Sequence, residues 1–342
     1  MGKDFRMDIK ADIFSGFLGA GKTFLIRKLL EEGCYSGSTA IIENEFGEVS
    51  IDGSILRNTD ITVKELNSGC ICCSITGDFQ DAIKEIVRKY SPRQLILEPS
   101  GVGRLSEVIR AFTDKELGLG INIRICATVV DVMRYELYIR SFAEFYRNQI
   151  ANAKTLILSR TQSADAEKID RIVKSLRELN PDAEIITTPW DKLSGEQIME
   201  VASRGDTFIN ASNVNPDTAE NRINIKGKKV RINFKSPGTD KMEFGHHHHA
   251  DEVFDVWSAE TVRNYSEEEL RAIFKEIGEE GSPYGEILRG KGIVSSNTNS
   301  WLLFQYVPGE LVFDEAEPYY TGRICIIGRN LDKPGLAKLF EC

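Results

Sequence analysis

Between Gly16 and Thr23 the chain reads Gly-Phe-Leu-Gly-Ala-Gly-Lys-Thr, with a short apolar run from Lys10 to Phe14 before it and apolar residues at helical spacing from Phe24 to Glu32 after it. A glycine-rich loop between a buried strand and a helix that stops at Gly33 dictates strand, turn, helix. The glycines let the backbone curl so that successive N–H groups converge, Lys22 adds a point charge, and the Thr23 hydroxyl adds a hard oxygen. This is the spacing of a phosphate-binding loop, with Gly16, Gly19, Ala20, Gly21, Lys22 and Thr23 as nucleotide-binding positions and Thr23 as a ligand for Mg²⁺. The alternative is an ordinary glycine turn.

Further short apolar runs follow at Thr39 to Ile42, Gln94 to Leu97, Ile123 to Val130, Thr155 to Leu158 and Glu184 to Thr187. Amphipathic stretches such as Asp78 to Tyr90, Val102 to Phe112 and Ala164 to Leu179 separate them. Alternating strands and helices predict an α/β domain with a mainly parallel sheet over residues 7–205. Residues 206–229 have the Asp, Asn, Ser, Thr and Gly content of a connection, and 230–342 are expected to form a smaller α+β domain. In the latter, Val230 to Phe234, Val253 to Trp257, Trp301 to Val307 and Arg323 to Gly328 read as strands and Ser266 to Ile277 as a helix. The 342 residues, 41% of them hydrophobic, suffice for two cores.

A net charge of -9 argues against nucleic acid as a partner, because that binding needs a basic surface. No stretch is apolar and long enough to cross a bilayer, the N-terminus lacks the apolar core of a signal peptide, and Arg6 stands where a myristoylation signal needs Ser or Thr. Seven cysteines, three of them within four positions, do not form a disulfide framework, and the expectation is a cytoplasmic chain with reduced thiols.

Two further elements belong with the phosphate loop. Leu95-Ile96-Leu97 ends in Glu98, followed by Pro99-Ser100-Gly101. Glu98 is expected on the Mg²⁺ side and the Gly101 amide facing the γ-phosphate, so that Lys22, Glu98 and Gly101 form the candidate catalytic set. After the strand ending at Leu158 come Ser159, Arg160, Thr161 and Gln162, where many GTPases carry Asn-Lys-x-Asp to read guanine. Gln162 can accept one hydrogen bond from the base but offers a donor where a second acceptor is wanted, at a cost of about 1–3 kcal/mol. Guanine is the expected base, and its strictness over adenine is left open by Gln162.

Cys70-Ile71-Cys72-Cys73 carries thiolates that select Zn²⁺ and other soft ions. Three in four residues cannot all enter one tetrahedron without strain, so other segments must contribute. Glu43-Asn44-Glu45-Phe46-Gly47-Glu48, just after the second strand, is the candidate source. The alternatives for the cysteines are buried packing and a redox pair. His246, His247, His248 and His249 are the only histidines and are consecutive. A purification tag is the alternative, but the run is internal, and an exposed metal-collecting loop is the favoured reading.

With these residues in hand the chain resembles the CobW-like family of P-loop GTPases, a metallochaperone group. The resemblance rests on the phosphate loop, Glu-Asn-Glu-Phe-Gly from Glu43, Gly-Cys-Ile-Cys-Cys from Gly69, Glu-Pro-Ser-Gly from Glu98, and in the second half Gly285 to Gly292, Trp301 and Ile326 to Asp332. It implies a SIMIBI-type P-loop domain followed by a CobW C-terminal domain. It also implies a GTPase of low turnover that binds Zn²⁺, with Co²⁺ or Ni²⁺ as alternatives, and passes it to a client metalloprotein. By matching position, Cys72 is the foremost metal ligand, accompanied by Cys70 and Cys73, with Glu43 and Glu48 matching acidic residues of the internal metal site. The chain is expected as a monomer or weak homo-oligomer. A nucleotide-binding metal buffer or sensor without productive turnover fits the same cysteines and histidines, and a small-molecule kinase would fit the α/β domain alone.

Overall fold

The computed structural model describes residues 9–35, 38–43, 62–65, 78–114, 117–204, 253–279, 281–297, 300–316 and 321–342. The predicted strand at Val230 to Phe234 and the connection at 206–229 lie outside the described residues.

The first domain is a seven-stranded parallel sheet in the order β3-β2-β4-β1-β5-β6-β7. Its strands are β1 (Ile9–Gly16), β2 (Thr39–Glu43), β3 (Thr62–Glu65), β4 (Gln94–Glu98), β5 (Ile121–Asp131), β6 (Thr155–Ser159) and β7 (Glu184–Ile186). The helices are α1 (Lys22–Glu31), α2 (Asp78–Tyr90), α3 (Leu105–Thr113), α4 (Tyr135–Ser141), α5 (Ala143–Asn152), α6 (Ala166–Leu179) and α7 (Gly195–Ser203). The central strands carry apolar residues on both faces, as a sheet covered on both sides requires. Ile9, Ala11 and Ile13 of β1 pack into one core and Phe14 into the other, which α1 and α7 cover through Leu25, Ile26, Leu29 and Ile198.

Two features depart from the sequence reading. The short strand β3, absent from the predicted apolar runs, lies between Glu43 and the cysteines in chain order. Its four residues, Thr-Val-Lys-Glu, are too few and too charged to stand out as an apolar run. Glu43, expected just beyond β2, is the last residue of that strand.

The second domain is an antiparallel sheet in the order β12-β11-β10-β13-β8, with β9 (Asn264–Tyr265) parallel to the end of β10. Its strands are β8 (Asp255–Thr261), β10 (Glu286–Ser296), β11 (Trp301–Val307), β12 (Glu310–Ala316) and β13 (Gly322–Arg329), with helices α8 (Glu267–Ile277) and α9 (Lys333–Phe340). One face packs on these helices through Phe274, Phe304, Ile326 and Phe340. The other face joins the core of the first domain, where Leu288, Ile293, Leu303, Cys325 and Ile327 are continuous with Phe17, Tyr138 and Phe145. Phe254, just before β8, lies 5.4 Å from both Phe142 and Phe145 and 6.2 Å from Phe17, ring centre to ring centre. The two domains therefore share apolar interior in addition to any polar contacts between them. Among the described residues no helix is long and apolar enough to cross a membrane.

Candidate nucleotide site

β1 ends at Gly16 in the centre of the parallel sheet, with β4 on one side and β5 on the other, so the loop that follows opens at the carboxyl edge where the chain direction of winding changes. Gly21 caps α1 with φ of 99°, a left-handed backbone that favours glycine, and the Leu25 amide bonds its carbonyl at 3.0 Å. Gly19, at φ of 66°, is held against the second domain: a Cβ there would overlap Val307. Lys22 is buried, its Nζ 3.4 Å from the Phe17 carbonyl.

The Thr23 hydroxyl donates to both Glu98 oxygens, at 2.9 and 3.1 Å, and both residues are buried. A hydroxyl and a carboxylate side by side at a phosphate loop are the hard oxygen donors that Mg²⁺ takes, so these residues fit that ion. In the β2–β4 register Glu43 pairs directly with Glu98, and on its other side with Glu65. The buried Glu43 thus stands next to Glu98 at the carboxyl edge of the sheet. Gly101 abuts the loop closely, a Cβ there falling 2.8 Å from the Leu18 nitrogen, and Gln149 Nε2 donates to its carbonyl at 3.0 Å.

Ser159 is buried at the end of β6, and Gln162 lies exposed on a 3-10 turn, Thr161–Ser163. Arg160, between them, adopts a left-handed backbone with φ of 57°. Its guanidinium donates to the Gly19 carbonyl at 3.0 Å and to Asp131 at 2.8 Å, and pairs with Glu310 of the second domain at 3.0 Å. Arg134 repeats this bridge, pairing with Asp131 at 3.1 Å and Glu310 at 3.8 Å and donating to the Pro308 carbonyl. Asp131, buried at the end of β5, thus holds two arginines that reach across to the β11–β12 hairpin.

These elements enclose a pocket of about 130 Å³. Gly19, Gly21, Lys22, Thr23, Glu98 and Arg160 line it from the first domain, and Arg289, Gln305, Tyr306, Val307 and Glu310 from the second. A typical small-molecule site is roughly 300–1,000 Å³, so the hairpin sits closely over the phosphate loop. Tyr138, whose hydroxyl donates to the Leu18 carbonyl at 3.5 Å, is buried behind the loop, and that burial pushes its acidity well below the ordinary phenol. Burial likewise pushes the Cys126 thiol up to about 12, which keeps it protonated at neutral pH in the absence of a metal.

Among the predicted site residues, Gly19, Gly21, Lys22, Thr23, Glu98 and Arg160 line one pocket, with Glu43 one strand away; Gly16, Ala20, Gly101 and Ser159 do not line it. Gln162 does not line it. Glu48, Cys70, Cys72, Cys73 and His246 to His249 lie outside the described residues. Among the described residues no group of three His, Cys, Asp or Glu is placed to hold a metal ion. Sequence reasoning missed Asp131 and all the lining from the second domain. Asp131 had a signal, an apolar run ending in a carboxylate as at Glu98. The second-domain residues had none, because a contact between domains leaves no local pattern.

Residues 10–187 match the family described as CobW/HypB/UreG, nucleotide-binding domain, and residues 254–342 match the cobalamin synthesis protein cobW C-terminal domain. The zinc chaperone YeiR of Escherichia coli strain K12 is 28% identical over 187 residues, 54% of this chain and 57% of that protein. The zinc chaperone CobW of Pseudomonas aeruginosa is 31% identical over 193 residues, 47% of this chain and 51% of that protein. The chain thus spans little more than half the length of these bacterial relatives. The zinc-regulated GTPase metalloprotein activator 1 of Schizosaccharomyces pombe is 23% identical over 354 aligned positions, 95% of this chain and 83% of that protein.

Proposed function

The chain belongs to the CobW/HypB/UreG family of nucleotide-binding proteins, with a CobW C-terminal domain following, and from that membership we propose that it is a metallochaperone GTPase of low turnover. It binds Zn²⁺ as cargo, with Co²⁺ and Ni²⁺ admitted by the same ligand chemistry, and couples GTP hydrolysis to delivery of the ion to a client metalloprotein. The names of the relatives, zinc chaperones and a zinc-regulated GTPase activator, support the choice of metal and nucleotide.

The observation that carries the coupling is the register of β2 on β4, which sets Glu43 beside Glu98. The segment beginning at Glu43 leads toward Glu48 and, by resemblance, the cysteine site, while Glu98 is hydrogen-bonded to Thr23 of the phosphate loop. A change of charge at the phosphates is then felt one strand away from the metal-binding segment. Lys22 places its charge against the β/γ-phosphates, Thr23 and Glu98 hold Mg²⁺, and the Gly101 amide is presented to the terminal phosphate by its close packing on Leu18. Mg²⁺, when bound, neutralises charge that develops on the phosphates. The second-domain hairpin restricts bulk water at the loop.

Titration of Zn²⁺ into the protein loaded with a GTP analogue, with GDP, or with neither is expected to give affinities that differ at least about tenfold between the nucleotide states, equivalent to roughly 1.4 kcal/mol of coupling. Cys72→Ser should remove most of the binding. Equal zinc affinity in all three states would refute the coupling, since linkage requires differential affinity.

Base reading has its own test. Gln162→Asp restores two acceptors toward guanine and is expected to raise selectivity for GTP over ATP by about tenfold in competition binding. An unchanged ratio would mean that this turn does not read the base.

A further inference from the structure

The second domain reaches the nucleotide pocket with a buried cation. Arg289 is 6% exposed and lines the pocket together with Gly19, Lys22, Thr23 and Glu98. The sheet register fixes the face on which it stands. On β10, Arg289 pairs with Ile327, Lys291 with Cys325 and Gln305, and Ile293 with Leu303. Paired residues share a face, and Ile293, Leu303, Cys325 and Ile327 all belong to the core shared with the first domain. The alternate residues, Gly290 and Gly292, pair with Tyr306 and Phe304 on the opposite face and press against the rings of Phe274 and Phe304. Arg289 is therefore directed at the first domain by the pleat of the strand itself. Its charge is also among those acting on Tyr138, the residue hydrogen-bonded to the Leu18 carbonyl of the phosphate loop.

We propose that Arg289 is a phosphate-binding residue supplied in cis by the second domain, contacting the terminal phosphate of a bound nucleoside triphosphate opposite Lys22. Three observations support it: the pocket carries cations from both domains, the hydrogen-bonded Thr23 and Glu98 line it beside Lys22, and Arg289 lines it from the second domain. A planar guanidinium there makes paired hydrogen bonds to phosphate oxygens that an ammonium cannot reproduce. This makes the second domain part of the nucleotide site, and it rests on the reading that the pocket takes a triphosphate.

The test is equilibrium binding of GDP and of guanylyl imidodiphosphate, with Mg²⁺, to the full chain and to Arg289→Ala, Arg289→Met and Arg289→Lys. Loss of a charge-assisted pair to the third phosphate is expected to weaken the analogue at least about tenfold while GDP changes less than about threefold. Arg289→Lys should recover part of the analogue affinity. Under saturating GTP, release of phosphate should fall by roughly 10²–10³-fold or more in the alanine variant. Melting curves monitor folding, and Arg289→Met keeps the buried stem if the alanine variant does not fold. Parallel losses for both nucleotides, or no loss for either, would overturn the assignment while leaving the nucleotide site intact. Failure of the unmodified chain to bind either nucleotide would instead remove the triphosphate reading itself, and the assignment with it.

Discussion

Lys22→Ala is expected to lower GTP hydrolysis by roughly 10²–10³-fold, the cost of removing one preorganised charge from a site where negative charge develops. Lys22 is 3% exposed and lies inside the turn from Phe17 to Gly21, so solvent cannot replace its charge once it is gone. Alanine is a good helix former at the first turn of α1, so the fold should survive and the melting temperature should move little. The measurement is single-turnover release of inorganic phosphate, with thermal unfolding as the control for folding. Retention of more than about a third of wild-type turnover at saturating GTP would mean that Lys22 contributes uniform binding and not stabilisation of the transition state. The same assay separates the GTPase from a kinase, since a kinase yields a phosphorylated acceptor in place of free phosphate. If Lys22→Ala abolished turnover but left metal handling in cells intact, the chain would act as a metal buffer rather than as a GTP-driven carrier.

Phe17→Ala is expected to cost about 3–5 kcal/mol of stability, among the largest effects of any single substitution in the chain. The Phe17 ring is fully buried, with ring centres of Tyr138 at 4.6 Å, Phe142 at 5.1 Å and Tyr146 at 5.6 Å, and it reaches Phe254 from the other domain. Its tilted and edge-on contacts contribute beyond the area they bury. Because this core runs through both domains, calorimetry should record one transition, lowered on the order of 10 °C by the variant. Phe340→Ala, in the core that the second domain keeps to itself, offers the contrast. It should also destabilise the protein but leave the nucleotide affinity of the folded fraction near wild type. Two separate transitions, with Phe17→Ala moving only the first, would show that the shared core does not couple the domains.

The parallel half of the molecule was legible because its strands are buried on both faces and its helices are amphipathic. The runs at Gln94 and Thr155 need only one more residue each to become β4 and β6, and that residue is the polar Glu98 in one and Ser159 in the other. Glu98 lines the pocket beside the phosphate loop, whereas Ser159 is buried at the strand end without lining it. The antiparallel half was harder. β10 reads Glu-Ile-Leu-Arg-Gly-Lys-Gly-Ile, in which two glycines and two cations interrupt any apolar period. The glycines are there because Phe274 and Phe304 occupy the space a side chain would fill, and the cations because that face meets the first domain. β12, at the sheet edge, carries three acidic residues among its seven and is half-exposed, as a free edge tolerates. The phosphate loop was legible from its spacing, and Glu98 from an apolar run ending in a carboxylate read together with that loop. Their covering by the β11–β12 hairpin depends on strand register across more than a hundred residues of chain, which no local pattern encodes.

Val307 resting on Gly19 has a kinetic consequence. If the pocket takes a nucleotide as proposed, the hairpin seated over the phosphate loop must lift for it to enter or leave, and its residence time would then depend on the domain interface as well as on loop contacts. Because the interface is a shared apolar core, such lifting would expose buried surface and be infrequent. A client that pulled on the second domain could therefore hasten exchange without touching the phosphates, acting on the rate of release and leaving the loop unchanged.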